Sequence, residues 1–278
     1  MCIRDRYTIA IDVIMPDGRT LQVASVHHYR DQWAKAFDIK YEGDSGDQKY
    51  VHQTTYGMSE RLLGATVATH GDDKGLIMPP SIAPIQVVIV PILSKDGSEE
   101  IISAANEMVK ELKLEKIRVK LDDRDIRPGQ KYYDWEIKGV PLRIELGPRD
   151  LKSNSFMCAR RTGEKSSYNL QELISSVRKE LDLVNEHMRE RAKSHFNQHV
   201  KKMPKVEING STISFEQKLE DGFVYEMAFE GNDAEAEMIE KETGFSLLGE
   251  STSPYSEKRK CIVTGKPTHN KVFLAKTY

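Results

Sequence analysis

The chain has 278 residues, of which 38% are hydrophobic and 30% charged, and its formal charge is −2. That composition supports two or three globular domains and excludes a disordered tail; it also excludes nucleic-acid affinity from global charge, so any such site must be a local patch. Cys2, Cys158 and Cys261 are odd in number and far apart, which implies no disulfide framework and a reducing compartment, the cytoplasm by default. The longest apolar run, "APIQVVIVPIL", falls short of the roughly 18 to 20 residues of a membrane span, so a soluble protein with no membrane partner is expected.

In chain order, residues 7 to 26 alternate as a hairpin, "YTIAIDVIMP" and "TLQVASV", with a turn at Asp17-Gly18. A strand "FDIKYE" and a loop "GDSGDQK" follow. Then "VHQTTYGMSERLLGATVATHGDDKGL" runs from a strand through Gly57 into a helix carrying Leu62, Leu63, Ala65, Thr66 and Val67, a segment that reads as core. From Ala83 the pattern becomes strand "IQVVIVPIL", helix Glu99 to Leu112, strand "KIRVKLD", helix 129 to 138 and strand "PLRIELG", which predicts an α/β unit with a mostly parallel sheet. A strand "SFMCARR" and a turn at Thr162-Gly163 complete it. Leu170, Leu173, Ile174, Val177, Leu181, Val184 and Met188 then recur at three- and four-residue steps, as one long helix does. Residues 204 to 278 mix short strands with the acidic helix "DAEAEMIEKETG", whose final Gly suits a C-cap.

Three stretches can carry chemistry. Arg61, with Gly57 and Ser59, could fork onto phosphate oxygens beside a close-approaching backbone, and an ordinary surface arginine is the plain alternative. Gln22, Ser25 and His27 fall on alternating steps with one irregularity, a neutral polar set able to orient a small ligand, or else a half-exposed strand. The stretch "LDDRDIRPGQKYYDWEIKGVPLRIELGPRD" interleaves Arg124, Arg127, Lys131, Lys138, Arg143 and Arg149 with Tyr132, Tyr133 and Trp135. It suits single-stranded RNA, whose phosphates meet cations and whose bases stack, or a salt-bridged solvated face. His195 and His199 are four apart on a helix without a neighbouring glutamate, so no metal set is read.

In combination and order, "LQVASVHHYRDQWAKAFDIKY", "VHQTTYGMSERLLGATVATHGDDKGLIMPPSIAPIQVVIVPI", "RPGQKYYDWEIKGVPLRIELGPRDL" and "CIVTGKPTHNKVFLAKTY" resemble the prolyl-tRNA synthetases, class II aminoacyl-tRNA synthetases of archaeal and eukaryotic type. The resemblance implies an α/β and α+β multidomain chain. Residues 1–82 would be the remnant of a class II antiparallel-sheet catalytic domain with motif 3, 83–185 an α/β anticodon-binding domain, and 186–278 a small α+β C-terminal domain. It implies a proline-tRNA ligase that activates L-proline with ATP and Mg²⁺, transfers it to proline tRNA, and is a homodimer at full length.

By that resemblance Gln22, Ser25 and Arg61 bind ATP, with Arg61 also catalytic, while His27, Gly57 and Ser59 meet proline. Arg124, Lys131, Glu136, Lys138, Arg143 and Glu145 become candidates to read the anticodon guanines, without assignment of residue to base. Charge-assisted hydrogen bonds of the Arg61 kind are worth roughly 1.5 to 3 kcal/mol, or about ten- to a hundredfold in rate. The family's C-terminal domain often holds zinc on four cysteines; here Cys261 stands with Thr264 opposite it, so no zinc is expected. The terminal tyrosine, placed near the active site in the family, is present as Tyr278. Motifs 1 and 2 should lie upstream of residue 7, so the chain reads as a C-terminal fragment that does not aminoacylate alone; "MCIRDR" matches nothing in the family. A stand-alone tRNA-binding module is the alternative, and a histidyl- or threonyl-type relative a weaker one that "GVPLRIELGPRDL" argues against.

Overall fold

In the computed structural model, residues 7–93, 98–209 and 212–278 are described; "MCIRDR", with Cys2, lies outside them. The expected hairpin is β1 (Tyr7–Ile14) and β2 (Thr20–Arg30). Its turn needs Gly18, which sits at φ 79° and whose Cβ would fall 1.9 Å from the carbonyl oxygen of Gly222. The pairing shifts once, where Ile11 faces Ala24 but Asp12 faces Gln22, leaving Val23 as an extra, bulged residue.

After α1 (Gln32–Ala36), "FDIKYE" is only partly a strand. Asp38 has φ 50° and the Ile39 N–H bonds back to Ala34, so β3 (Lys40–Glu42) starts late. "GDSGDQK" is likewise no open loop, since it turns β3 into β4 (Gln48–Tyr50). β5 (Gln53–Met58) completes the antiparallel sheet β1-β2-β5 and leads into α2 (Arg61–His70). α2 is the predicted helix but not a core one: Ala65 is buried, whereas Leu62 and Leu63 are 42% and 53% exposed.

The chain divides into two compact units, one of residues up to 65 together with 195–278, the other of 66–194. The second is built on β6 (Val87–Pro91), α3 (Ser98–Leu114), β7 (Val119–Leu121), α4 (Pro128–Ile137), β8 (Leu142–Leu146), α5 (Pro148–Lys152), β9 (Ser155–Arg160), β10 (Lys165–Asn169) and α6 (Leu173–His199). Its sheet runs β10-β9-β8-β6-β7. The β6 pairs with β7 and β8 are parallel, but β8-β9 and β9-β10 are antiparallel, so the sheet is mixed rather than mostly parallel. The cause is connection length, because α5 is too short for the crossover that a parallel pair requires. One face of the sheet (Val87, Ile89, Ile144, Phe156, Cys158) packs against Ile101, Ala105, Met108 and Leu112 of α3 and Leu173, Val177 and Leu181 of α6. The other (Val88, Val90) packs against Trp135 of α4.

The first unit resumes with β11 (Val200–Lys202), β12 (Val206–Asn209), β13 (Thr212–Phe215), β14 (Val224–Ala228), α7 (Asp233–Thr243), β15 (Ser246–Glu250), β16 (Arg259–Lys260), β17 (Pro267–Thr268) and β18 (Lys271–Ala275). β11-β14-β18-β15 form a sheet around Tyr225, Met227 and Leu274, with Ile239 of α7 against it. α7 opens on an Asn232–Glu235 capping box and closes, as predicted, at Gly244 with φ 70°. The chain end returns to β2: the Thr20 N–H donates to Lys276 O (2.9 Å) and the Tyr278 N–H to Thr20 O (3.1 Å).

Asp122, with a side chain 1% exposed, lies after β7. Burial alone would raise its pKa, but hydrogen bonds from Arg124 and from Trp135 Nε1 (2.7 Å) outweigh that and hold the carboxyl at about 2. A folded-state value below the unfolded one stabilises the fold above the ordinary carboxylate range, and this is lost as pH falls towards 2. Urea unfolding of the chain from pH 6 downward is therefore expected to show about 2 kcal/mol of acid-sensitive stability from this group. That portion should be missing in Asp122→Asn; an identical pH profile in the variant would contradict the assignment.

Candidate active-site face and nucleic-acid interface

Directly opposed residues in an antiparallel sheet share a face, and alternate residues along a strand do too. Applied to β1-β2-β5, this puts Thr8, Ala10 and Asp12 of β1, Gln22, Ser25, His27 and Tyr29 of β2, and Thr55 and Gly57 of β5 on one polar face. The step from Gln22 to Ser25 is odd and would put them on opposite faces of a regular strand. The bulge at Val23 restores them to the same one, which is the irregularity visible in the sequence. The opposite face carries Tyr7, Ile9, Ile11, Tyr56 and Met58, all exposed.

On the polar face, His27 Nδ1 is 3.0 Å from Thr8 Oγ1 and its Nε2 is 3.0 Å from Ser25 Oγ, so the imidazole is held on both nitrogens. Its ring stacks on Tyr29 at 5.7 Å. Gly57 faces Ser25 across the ladder. The Ser59 hydroxyl accepts from the Arg61 N–H (3.3 Å) at the start of α2.

A cavity of about 310 Å³ opens beside this face, lined by Asp12, Thr20, Gln22, Arg61, Leu248 and Tyr278 among others. Gln22 and Arg61, 39 positions apart in sequence, thus meet in one pocket with the chain-terminal tyrosine. Tyr278 is fixed there by its hydroxyl, which donates to Asp17 (2.8 Å). Asp12 was not singled out from the sequence; its one signal is alternation with Thr8 and Ala10, and partial burial raises its pKa. A second cavity of about 560 Å³ is lined by Tyr29, Trp33, Phe37, His52, Gln53, Thr54 and Thr55.

In the other unit the six anticodon candidates separate into two groups. Arg124 spends its guanidinium on Asp122 (2.7 and 2.8 Å) and Asp134 (2.8 Å). Lys131, expected on the surface, is 2% exposed and donates its ammonium to the Asp122 carbonyl (3.0 Å), so it is an interior brace for the β7–α4 connection. Glu136, Arg143 and Glu145 do come together. Arg143 donates to Glu145 (3.0 and 3.1 Å) and to Glu136 (3.3 Å), and its guanidinium carbon lies 3.9 Å over the Tyr132 ring.

Lys165, missed in the sequence, joins them with its ammonium 2.9 Å from Glu145. The register explains how: Arg143 of β8 opposes Ala159 of β9, which opposes Lys165 of β10, a cross-strand row with a small residue in the middle. Burial and the Glu145 carboxylate push the Tyr132 phenol up to about 12, against a smaller opposing effect of Arg143. Lys138 stands exposed over Trp135, 4.7 Å from the ring centre. The patch offers alternating acceptors and donors on an aromatic floor, which is what hydrogen bonding to base edges requires.

Among the described residues no group of three or more His, Cys, Asp and Glu side chains is placed to hold a metal ion. Cys261 is buried, and its sulfur accepts from the Glu230 N–H (3.3 Å) and the Thr264 N–H (3.4 Å). Burial opposes the thiolate, but these bonds and one from the Thr264 side chain outweigh it and lower the pKa. No described helix is long and apolar enough to cross a membrane.

Comparison with known proteins gives two family matches: "Anticodon binding domain" over residues 86–180 and "Prolyl-tRNA synthetase, C-terminal" over 213–278. The chain is 45% identical over 277 residues to the proline--tRNA ligase of Thermococcus kodakarensis, and 43% identical over 281 residues to that of Methanosarcina mazei. Each alignment covers 98% of this chain and 56% of the relative, so the chain spans little more than half the length of these relatives. Among solved structures it is similar to Giardia lamblia prolyl-tRNA synthetase in complex with prolyl-adenylate, with TM-score 0.87, 28% identity, and coverage of 99% of this chain and 59% of that one.

Among the described residues nothing requires glycine at position 57: no left-handed φ is found, and a Cβ there would meet only Ser25 Oγ, at 3.7 Å. Gly57→Ala is accordingly expected to melt at or slightly above the parent temperature, within about 1 kcal/mol. A large loss of thermal stability would mean that the glycine serves the fold rather than a ligand approaching the face.

Proposed function

We propose that this chain, whose resemblance to the prolyl-tRNA synthetases holds over nearly all its length, is the anticodon-reading and motif-3 part of a proline-tRNA ligase acting in the cytoplasm. The observation that carries the reading is that the match runs continuously through the sheet with the polar face, the α/β unit and the C-terminal domain. The overall reaction joins L-proline to ATP, giving prolyl-adenylate and pyrophosphate, and then transfers the prolyl group to proline tRNA. The complete enzyme is a homodimer in this reading.

Each site residue has a role that its placement supports. Arg61 stabilises charge on the ATP phosphates, Gln22 and Ser25 hold the nucleotide side of the face, and His27 and Gly57 border the proline. Ser59 acts through the start of α2. Mg²⁺ enters with ATP as its counter-ion and would find an oxygen donor in Asp12. Catalysis here is positioning and electrostatic stabilisation, so no side chain needs to move a proton. Zinc has no part in this reading, because one thiolate cannot complete a tetrahedral structural site; stoichiometric zinc by elemental analysis would refute this.

In the α/β unit, the carboxylates of Glu136 and Glu145 suit the N1–H and N2–H₂ donors of a guanine, and Arg143, Lys165 or Lys138 its O6. Arg124 and Lys131 support this patch rather than touch a base. The test is binding of the purified chain to a proline tRNA transcript and to one with both anticodon guanines replaced, at fixed salt since the phosphate contribution varies with it. Weaker binding of the altered transcript is expected; equal binding of both would sink the anticodon reading. In the complete enzyme, Arg61→Ala should slow proline-dependent ATP–pyrophosphate exchange by about ten- to a hundredfold. An unchanged rate would remove Arg61 from the activation step.

A further inference from the structure

Arg161 follows β9 and has a side chain only 2% exposed, so its guanidinium must be satisfied internally. Its Nη1 donates to Asp72 Oδ2 (2.9 Å), and its Nη2 to Asp72 Oδ1 and to the Gly75 carbonyl (3.2 Å). Its Nε donates to the carbonyl of Glu136 (3.0 Å). The side chain therefore bridges two segments, the loop after α2 and the last turn of α4.

Those segments also meet backbone to backbone. The Leu76 N–H donates to Ile137 O (3.1 Å) and the Met78 N–H to Gly139 O (3.2 Å). A Cβ on Gly75 would lie 2.6 Å from Ile137 Cα, and one on Gly139 would lie 2.6 Å from Leu76 Cβ and 2.8 Å from the Leu76 carbonyl. Contact this close leaves the end of α4 little freedom while the loop is seated. The same turn carries Glu136 and Lys138. Glu136 is thus gripped twice, at its carbonyl by Arg161 and at its carboxylate by Arg143.

We infer that Arg161, anchored on Asp72, is a positioning residue for base recognition: it fixes the last turn of α4 and thereby sets where the Glu136 carboxylate and the Lys138 ammonium stand. The inference rests on the anticodon reading above. Arg161 touches no base in this scheme. It acts through the backbone of Glu136, and a lysine in its place could not span Asp72 and the Glu136 carbonyl together.

The test uses the full chain with Arg161→Lys and the milder Asp72→Asn, which keeps the shape of the carboxylate and removes its charge. Two readouts are taken: affinity for the proline tRNA transcript and its guanine-replaced form at fixed salt, and hydrogen–deuterium exchange over residues 133–140. Both variants are expected to bind the native transcript several-fold to about tenfold more weakly, with affinity for the altered transcript unchanged, and to exchange faster over 133–140. Native-transcript affinity at the parent level, or equal loss for both transcripts, would overturn the inference. So would unchanged exchange over 133–140 in Asp72→Asn. If the parent chain itself does not distinguish the transcripts, the anticodon reading falls, and the exchange arm still decides whether Arg161 holds the end of α4.

Discussion

The alternation of side chains along a strand is the constraint on which both candidate sites depend. Alternate residues of a strand share a face, so side chains that act together must fall on the same parity. In β8, Leu142, Ile144 and Leu146 go to the core on one face, while Arg143 and Glu145 lie on the other, largely buried among their ion partners. In β2 the parity against β1 shifts at Val23, and that extra residue aligns Gln22 with Ser25, His27 and Asp12; a second irregularity lies against β5, between His28 and Arg30. Val23 itself is buried against Met15 and Ala65, so packing supports the conformation that the polar face needs.

Charge follows a similar economy. The patch on β8, β9, β10 and α4 is close to neutral, because Glu136 and Glu145 face Arg143 and Lys165. Such pairs hold one another's geometry in the absence of a ligand, and a base edge of mixed donors and acceptors can exchange with them one bond at a time. A formal charge of −2 is thus compatible with the nucleic-acid surface proposed above. Specific hydrogen bonding does not require a net positive patch, whereas phosphate attraction alone would.

The sequence made the elements with strong periodicity legible: the β1–β2 hairpin, α3, α6, and α7 with its Gly244 cap. Elements set by tertiary circumstance were not. The late start of β3 follows a left-handed Asp38, and the antiparallel half of the second sheet depends on a connection too short to cross over. In the sites, residues near one another on a strand, such as Gln22, Ser25 and His27, could be grouped by spacing. Lys165 could not, since its partnership with Glu145 passes through a register across β9 that no local pattern encodes. Lys131 shows the converse: a lysine among tyrosines reads as surface, and only the buried Asp122 carbonyl explains it. The apolar look of α2 also misled, since Leu62 and Leu63 lie exposed.

The glycine-lined seam between residues 75–78 and the end of α4 has a further consequence, for the order in which the chain assembles. The Arg161–Asp72 pair closes a stretch of 89 residues, and the entropy of closing such a loop must be met before the pair returns anything. Its two landing points also require finished structure: α4 must have terminated at Gly139, and β9 must be paired to aim Arg161. The seam is thus set to form after the local hairpins and helices, as a closing step that reports on the completeness of the α/β unit. A nascent chain would carry the 71–78 segment without its backbone partners until residues 137–139 had been made, and without its Arg161 anchor until β9 followed.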